Sequence, residues 1–237
     1  MKWTSEIRLD VAQQKHRLGC LQVHAYYASV ILHGDFVRRI FFVLACMLSI
    51  NVSAVSFEQD IVKAAHERTT HIVRYDGEYL VIDYPWGDVP KEIGVCTDVV
   101  IRSYRILGTD LQQLVHEDMM ANFSKYPSKR IWGLKHPDKN IDHRRVPNLQ
   151  TFFKRHGQEL PITRNANDYK PGNLVTWMLP GNLPHIGIVT EKVNPTTGNP
   201  MIVHNIGSGP QLQDMLFGYK ITGHYKYVPE KYNISEY

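Results

Sequence analysis

Residues 170–191 have the sequence KPGNLVTWMLPGNLPHIGIVTE, in which turn residues separate apolar runs of strand length. The runs have the length and the apolar content typical of β-strands. Four such runs follow one another along the chain, at 174–179, 186–191, 201–205 and 219–228. Between the second and third, residues 194–199 contain Asn-Pro and Thr-Gly pairs, which are typical of a hairpin loop. The C-terminal part of the chain is therefore predicted to form antiparallel strands.

The residues before this stretch favour helices. Ser56 and Gln59 have the spacing of a helix-capping box and apolar residues follow them, so a helix is predicted at about 57–68. Further helices are predicted over 99–107, from residue 111 onward and over 148–156, whereas 72–84 is strand-like and 122–147 is predicted to be a long loop. Helices that precede antiparallel strands are typical of an α+β domain.

Composition and charge narrow the class of protein. Of the 237 residues, 43% are hydrophobic and 21% are charged, which is typical of a globular protein and excludes a disordered chain. The chain has 27 Lys and Arg against 23 Asp and Glu, but residues 1–54 hold six of the former and three of the latter. Residues 55–237 are therefore nearly neutral, so nucleic acid is not an expected partner.

Residues 37–54 have the pattern of a secretory signal peptide. Arg38 and Arg39 precede the short apolar run 40–50, and small residues follow up to Ala54. The apolar run is shorter than the roughly 20 residues needed to span a bilayer. We therefore expect export to the periplasm and cleavage after Ala54.

A signal peptide at this position makes residues 1–54 a leader. Residues 1–36 precede the pattern, and initiation at Val37 would leave them untranslated. Residues 55–237 are then expected to form a single exported domain without stable membrane insertion, its oligomeric state open. Lipoprotein anchoring at Cys46 is the minor alternative.

Cys96 is the only cysteine of the expected mature domain. It lies just before an apolar helical run, and because the positive end of a helix favours a thiolate, its pKa is expected to be lowered. Backbone N–H groups at the helix start could also stabilise an oxyanion. His185 and His204 lie on neighbouring predicted strands, so His185 could take the thiol proton while His204 orients its ring. Asn205 competes for the third role, because adjacent strand residues face opposite sides.

Three motifs resemble those of the NlpC-type cell-wall peptidases, which belong to the papain-like superfamily. They are Tyr84-Pro85-Trp86-Gly87 with Cys96 further along, Lys170-Pro171-Gly172-Asn173-Leu174-Val175, and His185-Ile186-Gly187-Ile188-Val189. Over about residues 58–229, the chain is most similar to the bacterial family called domain of unknown function 1287. That similarity includes the segments 94–98, 142–149 and 204–207.

The resemblance implies a papain-like (NlpC-type) fold, with N-terminal helices packed on an antiparallel sheet or a small barrel. It also implies residue roles. Cys96 would be the nucleophile, His185 the base and His204 the orienting residue, with Tyr84 near the oxyanion. Val95 departs from the family, which usually has an aspartate directly before its nucleophile.

The expected substrate is a cell-wall peptide. His143, Arg144 and Arg145 lie in a predicted loop, and adjacent arginines suit the recognition of carboxylates, which peptidoglycan stem peptides carry. We therefore expect an exported thiol hydrolase that cleaves an amide bond, with no metal ion or organic cofactor. The alternatives are a thiol acyltransferase or lipid-directed hydrolase on the same scaffold, a non-catalytic envelope binding module, and a zinc site that uses the cysteine and both strand histidines.

Overall fold

The computed structural model describes residues 56–233, and within them the chain forms six helices and eight strands. The helices are α1 (Phe57–Arg68), α2 (Cys96–Ile106), α3 (Leu111–Asn122), α4 (Ser128–Trp132), α5 (Val146–His156) and α6 (Glu230–Asn233). The strands are β1 (Arg74–Tyr75), β2 (Ile93–Gly94), β3 (Gln158–Glu159), β4 (Leu174–Leu179), β5 (Leu183–Val193), β6 (Pro200–Asn205), β7 (Pro210–Gln213) and β8 (Lys220–Lys226). The predicted α+β class is confirmed. The predicted leader lies outside the described residues.

Six strands form one antiparallel sheet in the order β3-β8-β4-β5-β6-β7. In the part of the chain that the structure describes, β3 and β7 are edge strands and the sheet does not close on itself. The sheet alternative of the prediction is therefore the one observed, and the small-barrel alternative is not. The strands β1 and β2 form a separate parallel pair, in which Tyr75 lies opposite Gly94.

The helices pack against one face of the sheet. One hydrophobic cluster joins Ile61 of α1, Val100 of α2 and Leu149 of α5 to Ile188 of β5, and Cys96 belongs to the same cluster. A second cluster contains Val175, Trp177, Val189 and Ile202. Because successive strand residues point to opposite faces, these alternate residues of β4, β5 and β6 mark the face away from the helices.

Local capping explains where the first two helices begin. At α1, the Ser56 hydroxyl accepts the backbone N–H of Gln59, and the Gln59 side chain accepts the N–H of Ser56, as the capping box predicts. At α2, the Asp98 carboxylate accepts the N–H of Val95 at 2.7 Å. Gly108 follows α2 with a φ of 69°, a left-handed conformation that glycine adopts without steric cost.

The structure differs from the sequence-based expectations in the connecting segments. The predicted loop at 122–147 contains α4 and two 3-10 turns, Phe123–Lys125 and Asp142–Arg144. The strand-like segment 72–84 contributes only the two residues of β1, and β7 was not predicted. Among the described residues, none of the helices combines the length and apolar character needed to cross a membrane.

Candidate functional site

Cys96 is the first residue of α2, and it is only 4% exposed. Burial raises the pKa of its thiol to about 12, although hydrogen bonds from the backbone N–H groups of Ile186, Thr97 and Cys96 itself act in the opposite direction. The expectation of a lowered pKa is therefore wrong for this state of the protein, because loss of hydration outweighs the helix end. Cys96 is a protonated thiol at neutral pH.

His185 and His204 form a hydrogen-bonded pair on β5 and β6. The Nε2 atom of His185 lies 3.1 Å from Nδ1 of His204, and the two rings are nearly perpendicular at 87°. The Nε2 atom of His204 lies 2.9 Å from Oε1 of Gln213 on β7. Burial lowers the pKa of His185 to about 3 and that of His204 to about 4, so both imidazoles are neutral at neutral pH.

Gly187 makes the close approach of the two histidines possible. It lies two residues after His185, so both positions belong to the same face of β5. A Cβ atom at Gly187 would lie 2.6 Å from Cγ2 of Ile202 and 3.1 Å from Cβ of His204. A larger residue would therefore push β6 and the His204 ring away from β5.

The thiol and the imidazole pair reach β5 from different faces of the sheet. His185 is the direct partner of Trp177 on β4, and their rings lie 6.0 Å apart. Ile186, the next residue, belongs with Cys96 to the cluster on the helix face. Among residues 56–233 no hydrogen bond joins Cys96 to either imidazole, and the sulfur instead meets the backbone N–H of Ile186. The N–H group that contacts the sulfur therefore belongs to the peptide unit that links His185 to Ile186.

Asn205 and His204 point to opposite faces of β6, as strand alternation requires. The Asn205 Nδ2 group donates to the carbonyl of Gly94 at 3.4 Å, and its Oδ1 accepts the N–H of Gly207 at 3.1 Å. His204, not Asn205, is therefore the residue in contact with His185. Asn205 instead ties the end of β6 to the segment that precedes Cys96.

Tyr84, expected near the oxyanion, lies in a different environment. Its ring packs edge-on against His116 at 5.1 Å, and Nζ of Lys139 lies 5.6 Å from the ring centre. The tyrosine that interacts electrostatically with Cys96 is Tyr75 on β1. Burial, with a smaller contribution from Cys96, raises the pKa of Tyr75 to about 12, so this phenol is a neutral donor. Sequence reasoning missed Tyr75, because no motif marks it and the β1–β2 pairing places it there.

Arg144 supports the start of α2. Its guanidinium forms two hydrogen bonds of 2.9 Å to the carboxylate of Asp98, and both side chains are buried. The same guanidinium donates to the backbone carbonyls of Asp76 and Glu78, and the hydroxyl of Thr97 donates to the carbonyl of Arg144. The guanidinium is thus already occupied within the protein, and nothing in this geometry supports its expected role with a substrate carboxylate.

The sequence neighbours of Arg144, His143 and Arg145, also lie against other parts of the protein. Arg145 donates to Asp142 at 3.1 Å, and its guanidinium lies 4.1 Å from the ring centre of Trp132. His143 is buried, and burial lowers its pKa to about 3. Its Nδ1 atom has no hydrogen-bond partner within the described residues. Of the three residues predicted to bind substrate, Arg144 therefore supports α2, Arg145 contacts Asp142 and Trp132, and His143 is buried.

A zinc site receives no support from this part of the molecule. Within residues 56–233, no group of three or more His, Cys, Asp and Glu side chains is arranged to hold a metal ion. The imidazole nitrogens of His185 and His204 that face each other are joined by a hydrogen bond.

Comparison with known proteins assigns the family. Residues 62–227 match the family described as domain of unknown function DUF1287, and the chain belongs to this family. The chain is also 49% identical over 167 residues to the uncharacterized protein YijF of Escherichia coli strain K12. That similarity covers 70% of this chain and 80% of YijF.

Proposed function

We propose that this protein is an exported thiol hydrolase that cleaves an amide bond in peptidoglycan stem peptides. Cys96 would be the nucleophile, His185 the general base and His204 the residue that orients His185. The observation that carries the proposal is the placement of the thiol at the start of α2, where the sulfur is held by the backbone N–H of Ile186, the residue that follows His185 on β5. Packing of α2 on β5 and β6 with a cysteine at its first residue also supports a papain-like fold.

The protonation states define how the reaction would start. Cys96 is a neutral thiol and His185 a neutral imidazole, so the proton would pass from sulfur to His185 as sulfur attacks the amide carbonyl. This step requires the His185 ring to move to the helix face of β5, because in this state the two groups lie on different faces of the sheet. The C–N bond then breaks, His185 returns the proton to the leaving amine, and a thioester remains. Water, activated by the same imidazole, hydrolyses the thioester and restores the thiol.

Backbone groups at the start of α2 would stabilise the oxyanion. The N–H groups of Cys96 and Thr97 already interact with the sulfur, so they lie next to the carbon that it would attack. Tyr75, which lies opposite Gly94 in the β1–β2 pair, adds a neutral phenol that interacts electrostatically with Cys96. Substrate must open access to the sulfur, because Cys96 is nearly inaccessible in this state.

Burial of Cys96 also favours a second candidate function, a non-catalytic envelope module that keeps the fold. A buried, protonated thiol is the common state of a structural cysteine. The two functions differ in one respect, since only the hydrolase needs the sulfur for its activity.

Digestion of purified sacculi, followed by mass analysis of the released muropeptides, tests the proposal. The native protein should release peptide fragments, and Cys96→Ala should release none while keeping the same circular dichroism spectrum. Added amine acceptors separate an acyltransferase from a hydrolase by the mass of the product. Equal release by Cys96→Ala and the native protein, or no release by either, would overturn the hydrolase proposal.

A further inference from the structure

A chain of side-chain hydrogen bonds runs from β7 to His185. Nε2 of Gln213 donates to Oε1 of Gln211 at 2.9 Å, and Oε1 of Gln213 lies 2.9 Å from Nε2 of His204. The chain continues from Nδ1 of His204 to Nε2 of His185 at 3.1 Å. Each link joins one donor to one acceptor, so the orientation of the first amide propagates along the chain.

The orientation of the Gln213 amide fixes the proton positions on both rings. Its NH₂ group faces Gln211, so its oxygen faces His204 and can only accept. Nε2 of His204 therefore carries the hydrogen, and because the ring is neutral, its Nδ1 is bare. Nε2 of His185 must then donate to that bare nitrogen. Since His185 is also neutral, its own Nδ1 keeps a free lone pair.

We propose that Gln213 is a positioning residue that sets the tautomer of His185 through His204 and leaves the Nδ1 lone pair of His185 free to accept a proton. The tautomer itself does not depend on catalysis. Its use as a base for Cys96 rests on the proposed function.

If the Gln213 side chain were removed, water in the adjoining cavity could hydrogen-bond to His204 in place of the glutamine oxygen. Gln213 and His204 line one cavity of about 570 Å³, together with Ile206, Asp214, Met215, Gly218 and Tyr219. Water can donate as well as accept, so water in place of the glutamine oxygen would not select one tautomer. An acceptor that replaces Gln213 should keep the tautomer, and a donor should reverse it.

Long-range ¹H–¹⁵N spectra of the histidine side chains at pH 7 test this directly. Native protein and Gln213→Glu should show His185 with hydrogen on Nε2, whereas Gln213→Lys should show it with hydrogen on Nδ1. Gln211→Glu, which keeps an acceptor oxygen facing Gln213, is the matched control. Hydrogen on Nδ1 of His185 in the native protein, or an unchanged tautomer in Gln213→Lys, would overturn the assignment.

The kinetic arm separates this inference from the proposed function. Gln213→Lys should lower kcat at least tenfold with little change in KM, and Gln213→Glu should restore most of it. If the spectra follow the expectation and Cys96→Ala stays as active as the native protein, the tautomer assignment stands and the hydrolase proposal fails. If kcat falls equally in the lysine and glutamate variants, the positioning role is wrong.

A separate surface feature carries a second inference. A groove of about 910 Å³ lies between the Phe123–Lys125 turn, α4, α5 and β8. Its lining includes four cationic residues, Lys125, Lys129, Arg130 and Lys154, and no carboxylate. Pro147, Gln150, Thr151 and Lys154 also line it, at the spacing that places residues on one face of a helix.

The cations of the groove are available to a ligand. Of the four groove cations, only Lys154 forms an ion pair within the described residues. Its partner is Glu159, at 2.6 Å between exposed side chains. Because residues 55–237 are nearly neutral overall, four cations along one groove are a local concentration of charge. Arg144 and Arg145, by contrast, are engaged inside the protein.

We infer that this groove binds an acidic ligand that carries several carboxylate or phosphate groups. Calorimetric titration with triglutamate and with tripolyphosphate tests it. At least one should bind, with an affinity that falls as salt rises and falls at least tenfold further in the double variant Lys129→Glu, Arg130→Glu. Binding of only one probe identifies the anion class. No binding of either, or equal weakening by the control Lys91→Glu outside the groove, would overturn the inference.

Discussion

The Nε2 atom of His185 lies 3.1 Å from Nδ1 of His204, so one of these neutral rings donates to the other. Burial keeps both rings uncharged, and the pair sits one peptide unit from the amide that holds the Cys96 thiol. The thiol and the two imidazoles are therefore neutral groups, and in the proposed reaction charge would appear on them only as the substrate reacts.

The first prediction concerns stability at acid pH. The pKa values of His185 and His204 are lowered in the folded state, to about 3 and about 4, from about 6.5 in the unfolded chain. As the pH falls below about 6.5, the unfolded state takes up protons that the folded state excludes. The free energy of unfolding should then fall by up to about 1.4 kcal/mol per pH unit for each histidine, and the contribution of these two histidines should be constant above pH 7.

Urea unfolding between pH 4 and pH 8 measures this slope. His204→Gln should show a shallower slope than the native protein, because one buried imidazole is gone. His136→Gln, a change at an exposed histidine, should leave the slope unchanged. Identical slopes for His204→Gln and the native protein would contradict the lowered pKa values.

The second prediction concerns thiol reactivity. Because burial raises the pKa of Cys96 to about 12, iodoacetamide should modify the native protein slowly at pH 7. The rate should rise about tenfold per pH unit up to pH 10 without a plateau, since the thiolate fraction grows in that proportion. The same protein in urea should react with the profile of an ordinary thiol. A plateau near neutral pH in the native protein would show an ionised sulfur instead.

The third prediction concerns Gly187. An alanine Cβ would lie 2.6 Å from Cγ2 of Ile202, so Gly187→Ala should lower the free energy of unfolding by about 1–3 kcal/mol. It should also lengthen the contact between the two histidines and broaden their side-chain NMR signals. Gly77→Ala is the control, since its nearest new contact, with Val95, is at an ordinary 3.4 Å. Equal stability of both variants would show that β6 can move without cost.

The fourth prediction concerns the buried ion pair at the start of α2. Asp98 and Arg144 are both buried, so removing one partner leaves an uncompensated charge. Arg144→Met should lower the free energy of unfolding by about 3–5 kcal/mol. Arg74→Met, at an exposed arginine paired with Asp76, should cost less than about 1 kcal/mol. Chemical unfolding measures the free energy of unfolding of both variants. Similar small losses in the two variants would show that the buried pair contributes little to stability.

Local signals in the sequence predicted the regular elements well. The capping box at Ser56 marks the start of α1, and the apolar run 174–179 coincides with β4. The strand β7 begins with Pro210 and is short and polar, so no apolar pattern marks it. It forms because β6 offers it an edge, which is a property of the assembled sheet.

Within the candidate site, the sequence predicted which strand residues lie next to each other better than it predicted how deeply they are buried. The pairing of His204 with His185 was expected from the strand order. Alternation required only that one of His204 and Asn205 face His185, and the structure shows that it is His204. The pKa of Cys96 was not predictable, because it depends on how much water the packed helices exclude. Tyr75 was missed for a related reason, since only the long-range pairing of β1 with β2 brings it close.

The cavity of about 570 Å³ opens beside His204 and Gln213, on the side of the sheet away from Cys96. A small molecule bound there would touch the His204 ring without meeting the sulfur. Hydrogen bonding by such a compound to the His204 ring would displace Gln213. Such a compound would inhibit the proposed hydrolase reversibly, without a thiol-reactive group.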